Sequence, residues 1–112
     1  MTDARREYEK LLALMLRESG VAPATMFGKP CVKVLGKAFL AQHRDTVVFK
    51  LTEPARRTAL GLAGAALWDP SGKGRPMKDW VAIPTENSSA FASLARAALE
   101  WVGGMARSAG SL

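Results

Sequence analysis

The sequence has very little cysteine and histidine. Its 112 residues include one of each, Cys31 and His43. A lone cysteine excludes a disulfide within the chain, and one cysteine with one histidine cannot supply the ligands of a typical transition-metal site. We therefore expect no metal and no other cofactor. A protein without disulfides fits the reducing cytoplasm.

Long hydrophobic runs are missing as well. No apolar run approaches the length of a membrane span, and the first ten residues, MTDARREYEK, are charged throughout. Such a start is not typical of a signal peptide or a membrane anchor. We predict a cytoplasmic protein that has no membrane partner.

Side chains suited to catalysis are scarce. Catalysis by acid, base or nucleophile needs a base beside a nucleophile, or two carboxylates in different environments. His43 is followed by Arg44 in a polar segment, which favours a solvated turn residue. Cys31 could be a thiolate activated by Lys29 or Lys33, but the sequence favours a small buried hydrophobe. We predict no catalytic residues and a non-enzymatic protein, with a small enzyme as the third alternative.

The chain does contain enough apolar residues for one hydrophobic core. Hydrophobic residues make up 48% of the sequence and charged residues 23%, which is typical of globular domains. A length of 112 residues suits one domain. We predict a single domain over residues 1–112, in which the last residues, RSAGSL, are loosely held.

Apolar residues recur at helical spacing at both ends of the chain. The spacing predicts a first helix over about 3–19, with Thr2 or Asp3 as its N-cap. It also predicts a last helix, which begins at the capping candidates Asn87 or Ser88 and ends near 103–104.

Between these helices the pattern is typical of strands. CVKVLGKAFLAQ predicts a hairpin with its turn at Leu35-Gly36-Lys37, and TVVFKL predicts a strand reached through the turn His43-Arg44-Asp45. A short helix after Thr52 and the strands ALW and WVAIP follow. This order predicts an α+β domain, an antiparallel sheet flanked by N- and C-terminal helices. The main predicted strands are 31–35, 38–42, 46–51 and 80–83. The predicted core residues are Val34, Phe39, Val47, Phe49, Leu94 and Leu99.

The chain is basic, and much of the excess is local. Lysine and arginine number 16 against 10 acidic residues, and four of the six net charges lie within residues 24–50. Strand alternation places Lys33 and Lys50 opposite the core positions. Two hypotheses remain open. The lysines only keep an exposed face soluble, or Lys33, Lys37 and Lys50 form one surface that binds anions.

The segment WDPSGKGRPMKDW, residues 68–80, has the composition of a binding loop. It is not a P-loop, because Lys73 is followed by Gly74 instead of serine or threonine and no helix is predicted to begin there. Its Asp-Pro and Ser-Gly pairs are typical of turns. Trp68 and Trp80 are predicted to pack against the sheet instead of stacking on bases.

This loop is predicted to be a hairpin-like connection that presents Lys73, Arg75 and Lys78 beside the sheet. Arg75 is the best candidate for a specific contact, because its planar guanidinium can bind phosphate or carboxylate in a bidentate way. The alternative is that Arg75 pairs with Asp69 or Asp79 and only holds the loop.

Several segments in order resemble the TfoX N-terminal domain family and, more loosely, the YjbR-like proteins. They are TMFGKPCVKVLGKAFLAQHRDTVVFKL, GRPMKDWVAIP and the C-terminal amphipathic helix, and they cover about Thr25 to Val102. The resemblance implies a compact α+β domain in which a sheet is flanked by helices. It also implies a regulatory role, since TfoX is associated with bacterial competence and wing-like DNA binding has been suggested for YjbR-like domains. It supplies no catalytic residue.

These observations lead to two functional hypotheses of different classes. The first is a non-enzymatic TfoX-N-like binding or regulatory module whose partner is nucleic acid or an acidic protein. The second is a protein–protein adaptor or a homodimer, in which the positive charge only maintains solubility. Met26 and Phe27 would favour the second if they were exposed beside a strand edge.

Overall fold

The computed structural model describes residues 3–110 and has an α+β fold, as predicted. Six antiparallel strands form one sheet in the order β1-β2-β3-β4-β6-β5. The helices near the two ends, α1 and α3, pack on one face of this sheet. The elements are α1 (Ala4–Met15), β1 (Val21–Met26), β2 (Lys29–Val34), β3 (Lys37–His43), β4 (Thr46–Lys50), α2 (Ala55–Leu60), β5 (Ala66–Trp68), β6 (Met77–Pro84), a 3-10 helix (Thr85–Ala90) and α3 (Phe91–Gly110).

Helix α1 begins where it is predicted to begin but is shorter. The carboxylate of Asp3 accepts a hydrogen bond of 3.0 Å from the backbone N–H of Arg5, so Asp3 is the N-cap. The other candidate cap, Thr2, lies outside the described residues. The helix ends at Met15, the last residue of its buried stripe, and the chain reverses into β1 through Gly20 at φ +81°.

The predicted end of the last helix near 103–104 is wrong. Helix α3 continues to Gly110, and so the segment RSAGSL is helical over 107–110, while 111–112 lie outside the described residues. Gly103 does not end the helix because it lies buried at a packing contact. A Cβ atom at this position would be 3.6 Å from Val34 Cγ2 on β2. Asn87 does not cap α3 either, since its side-chain amide donates a hydrogen bond of 2.8 Å to the Ala63 carbonyl.

Strand β1 was not predicted. Its sequence, VAPATM, has no clear alternation and contains Pro23, which is tolerated because β1 is an edge strand. The turn to β2, Phe27-Gly28, has positive φ at both residues, 54° and 74°, as a type I′ hairpin turn requires. The turn from β2 to β3 has the same form at Leu35-Gly36, where the hairpin was predicted.

The sheet buries its larger aliphatic side chains on the face covered by α1 and α3. All six residues predicted for the core are buried, and the most exposed of them, Leu94 and Leu99, have 7% of their surface accessible. Phe49 packs there against Phe91 at the start of α3, with ring centroids 5.3 Å apart. Trp101 lies partly buried against the same core.

The opposite face of the sheet carries a row of small side chains. The strand register aligns one residue from each strand in this row: Ala24, Cys31, Ala41, Val48, Ala82 and Ala66. Trp68 and Trp80 form a second buried cluster with Cys31, Ala41 and Val48 of this row, and Ala24 and Ala82 pack partly buried against it. We call this side of the sheet the tryptophan face.

The sheet is strongly curled around these indoles. Phe27 lies in the turn between β1 and β2, and its ring centroid is 6.1 Å from that of Trp68 on β5. In a flat sheet they would be at least four steps of about 4.8 Å apart, or roughly 19 Å. Small side chains in the row allow the two tryptophans to lie close to the backbone, so that the outer strands can bend towards each other.

Candidate functional site

The topology brings six candidate cations to one end of the sheet. Because neighbouring strands are antiparallel, the C-terminal ends of β2, β4 and β5 lie beside the N-terminal ends of β3 and β6. All six predicted cations belong to these strand ends or to the loop 69–76 between β5 and β6. We call this end of the sheet the basic end, and its cations are Lys33, Lys37, Lys50, Lys73, Arg75 and Lys78.

None of these six cations forms an ion pair within residues 3–110. The acidic side chains nearest to them along the strands have other partners. Arg56 binds Asp79 at 2.9 Å and Glu53 at 3.1 Å. The six cations therefore keep their positive charge free of ion pairs within these residues, although the carboxylate of Asp69 lies in the same loop.

The three strand lysines share this end of the sheet but not the same face. Lys33 and Lys50 alternate with residues of the helix-side core, so both lie on the tryptophan face. Lys37 is in register with Val34, which places it on the helix side. Lys50 is held over an indole, since its Nζ is 5.9 Å from the Trp80 ring centroid.

The loop 69–76 is organised by the carboxylate of Asp69. One oxygen accepts hydrogen bonds from Ser71 Oγ (2.8 Å) and the Gly72 N–H (3.1 Å). The other accepts from the N–H groups of Gly74 (2.8 Å) and Arg75 (3.1 Å). These bonds, with that from Ser71 first, lower the pKa of Asp69. The backbone donors that would bind a phosphate are thus already used, so the loop is not a phosphate-binding loop.

The side chain of Arg75 has neither of the carboxylate partners considered from the sequence. Asp69 receives the backbone N–H of Arg75 at 3.1 Å instead of its guanidinium. Asp79 pairs with Arg56 at 2.9 Å. The loop is therefore held by backbone hydrogen bonds to Asp69, and the exposed guanidinium of Arg75 can bind a ligand without first breaking either ion pair.

His43 is not the solvated turn residue that its sequence neighbours suggest. It is half-buried at the end of β3, and its Nδ1 accepts a hydrogen bond of 2.8 Å from Trp68 Nε1. Burial lowers the pKa of His43, and the nearby cations Lys29 and Arg44 lower it further. The curl of the sheet brings Trp68 to His43, and the tryptophans are packing groups, as predicted.

Cys31 is the small buried hydrophobe that the sequence favours. Its side chain is fully buried in the row under the tryptophans. Burial raises the pKa of the Cys31 thiol, and the nearby Lys33 opposes this only in part. A thiol in this environment is protonated at neutral pH and is not an activated nucleophile.

Met26 and Phe27 are placed differently. Met26, the last residue of β1, packs partly buried against the second cluster. Phe27 is 60% exposed at the hairpin tip, although one side of its ring contacts Trp68. Pro23 in the middle of β1 has no N–H to donate, which hinders the addition of another strand at this edge. The exposed apolar surface here is thus the single ring of Phe27, and it lies beside a strand edge that pairs poorly with another strand.

A cavity on the helix side was not found from the sequence. It has a volume of about 270 Å³ and lies where the connection from α1 to β1 meets β2 and α3. Its residues come from segments far apart in the chain, and no local pattern marks them. The main lining residues are Glu18, Val34, Arg96, Leu99, Glu100 and Arg107.

Within residues 3–110, no helix combines the length and the hydropathy that a membrane span requires. Comparison of the chain with protein-family models, with curated proteins and with solved structures gives no match. The resemblance to the TfoX N-terminal domain family therefore stays a prediction that rests on the residues quoted for it.

Proposed function

We propose that this chain is a non-enzymatic, TfoX-N-like binding or regulatory module of the bacterial cytoplasm, and that it binds nucleic acid through the basic end. The observation that carries the proposal is the placement of six cations on four strand ends and one loop at the same end of the sheet, none of them in an ion pair within the described part of the chain. An unneutralised group of this size favours a polyanion over a single small anion.

The arrangement favours contacts with phosphates over contacts with bases. Lysines on neighbouring strand ends offer point charges, which neutralise phosphates without distinguishing sequences. Arg75 is the cation in the group that can form a bidentate contact. We therefore expect binding that depends little on sequence and strongly on salt, with Arg75 as the residue for any preference between ligands.

The test is a titration of a fluorescently labelled DNA duplex, followed by anisotropy at several salt concentrations. The wild-type protein should bind at low salt, and the logarithm of the affinity should fall with a slope of about −0.9 per phosphate neutralised. Lys33→Glu and Lys50→Glu, tested singly, should each weaken binding and reduce the size of this slope by about 0.9.

Arg6→Glu is the matched control. Arg6 is exposed in the first turn of α1, remote from the end of that helix that leads into β1 at the basic end. The substitution changes the net charge by the same amount as the test variants. Circular dichroism should show that all variants are folded. Absence of binding at low salt, or equal losses in the control and the two lysine variants, would refute the proposal.

The second candidate function is a protein–protein adaptor or a homodimer. The observation that favours it is Phe27, whose ring is 60% exposed at a hairpin tip. A homodimer that uses this ring should dissociate when Phe27 is replaced by serine, which sedimentation equilibrium would detect. If the wild-type protein has the mass of a monomer, the homodimer is excluded, and this candidate function requires an acidic protein partner. Lys33→Glu should also weaken the binding of such a partner.

A further inference from the structure

We propose that the cavity between α3 and the end of β2 binds a small zwitterion, a free α-amino acid with an aliphatic side chain. This inference is independent of nucleic-acid binding. It rests on one cation and one anion that have no ion-pair partner within residues 3–110 and that line a space of about 270 Å³.

The cation is Arg107, whose guanidinium is folded back along α3 over a bare glycine. A Cβ atom at Gly103 would lie 3.4 Å from both terminal nitrogens of Arg107. The same point is 3.6 Å from Val34 Cγ2 on the cavity floor. Gly103 thus lets the guanidinium lie close to the helix surface and beside the floor. A planar guanidinium in this position suits a carboxylate.

The anion is Glu100, on the same helix and in the same cavity lining. Glu18 and Arg96, which also line the cavity, neutralise each other through an ion pair of 3.3 Å. Glu100 and Arg107 take part in no ion pair within residues 3–110. Because Glu18 and Arg96 bind each other, the charged groups of the lining that remain for a ligand are the guanidinium of Arg107 and the carboxylate of Glu100.

The positions of Glu100 and Arg107 in the cavity lining allow one small ligand to reach both residues. The Arg107 guanidinium lies level with Gly103, which is three residues, or about 4.5 Å of helix rise, from Glu100. One carbon atom separates the ammonium and carboxylate groups of an α-amino acid, so one such molecule carries both groups that these two side chains could bind. A dianion such as inorganic phosphate is disfavoured, because Glu100 would repel it.

The floor of the cavity is formed by two apolar residues. Val34 and Leu99 are its apolar lining residues, and both are almost fully buried in the helix-side core. The accessible part of this floor is small, since Val34 and Leu99 have 1% and 7% of their surface exposed, so it can contact one short aliphatic group. A volume of about 270 Å³ accommodates a molecule the size of leucine but not a long peptide.

The test is a titration of the isotopically labelled full chain with L-leucine, followed by amide chemical shifts. We expect saturable shifts at residues that line the cavity. Two analogues separate the charges: 4-methylpentanoate lacks the ammonium group, and 3-methylbutylamine lacks the carboxylate. Each should bind roughly twofold to fivefold more weakly than leucine, because each lacks one of the two charge contacts with the exposed side chains.

Two variants assign the contacts, and both positions are exposed, so that folding is preserved. Arg107→Gln and Glu100→Gln should each weaken leucine binding roughly twofold to fivefold. Arg6→Gln, the control, should leave it unchanged. Absence of shifts with leucine overturns the proposal, and so does equal affinity for 4-methylpentanoate, which would identify a simple carboxylate site. Full affinity in either glutamine variant would overturn it as well.

Discussion

Replacement of Ala41 by leucine should displace the tryptophans of the tryptophan face. Ala41 is fully buried in the row of small residues, and its row neighbours Cys31 and Val48 are fully buried as well. An isobutyl group in place of the methyl group has no free space beside it and must push against the indoles of Trp68 and Trp80. Overpacking of this kind costs about 1–3 kcal/mol of unfolding free energy.

For a domain of this size, a loss of that magnitude lowers the unfolding temperature by about 4–12 °C. Circular dichroism measures the transition, and tryptophan fluorescence reports the environment of the indoles, whose emission should move to longer wavelength as they become hydrated. Ala22→Leu is the matched control. Ala22 lies opposite Lys33 in the register, on the same face but exposed on β1, so its substitution should change stability by less than about 0.5 kcal/mol.

The reasoning is refuted if Ala41→Leu unfolds at the wild-type temperature with unchanged emission. That result would mean that the indoles do not need the small side chains beneath them. The curl of the sheet would then require another cause. A loss of stability in the Ala22 control equal to that in Ala41→Leu would also refute it, because burial would not be the factor that matters.

Two further predictions concern acid stability and the glycines. Because the pKa of folded His43 is lowered by burial and by nearby cations, the unfolded state binds the proton more readily. The contribution of neutral His43 to the free energy of unfolding should be complete above about pH 6.5 and should decrease as the pH falls through the folded pKa. Urea denaturation should therefore show that His43→Gln loses less stability between pH 7 and pH 5 than the wild-type protein does. Gly36 (φ +83°) and Gly104 both have open space where a Cβ would lie. Thermal unfolding should show that Gly36→Ala is destabilised by about 1 kcal/mol, because alanine is strained in the left-handed backbone conformation. Gly104→Ala should be stabilised by up to about 1 kcal/mol, because alanine favours the helix. A change of the same sign in both variants would contradict this explanation.

Local patterns were sufficient for the fold class and the core. The apolar stripes of α1 and α3 and the alternation in β2 to β4 reflect which side chains must leave water, and this requirement is written in the spacing of the residues themselves. The turn at Leu35-Gly36 was predictable for a related reason, since the glycine accepts the positive φ of a tight hairpin. Strand β1 was not predictable, because an edge strand of small residues and proline has no alternation to detect.

Long-range contacts decided the rest. Gly103 has the chemistry of a helix terminator, but its contact with Val34 makes it a packing position inside α3. His43 pairs with Trp68, a residue distant in sequence, because the sheet curls over a row whose six small members come from six strands. The sequence by itself determined most of the segments that form helices and strands, β1 excepted, and how many cations the chain carries. Only the tertiary structure decided which cations meet at the basic end and which charges line the cavity, because both depend on strand order and helix placement, which no local spacing encodes.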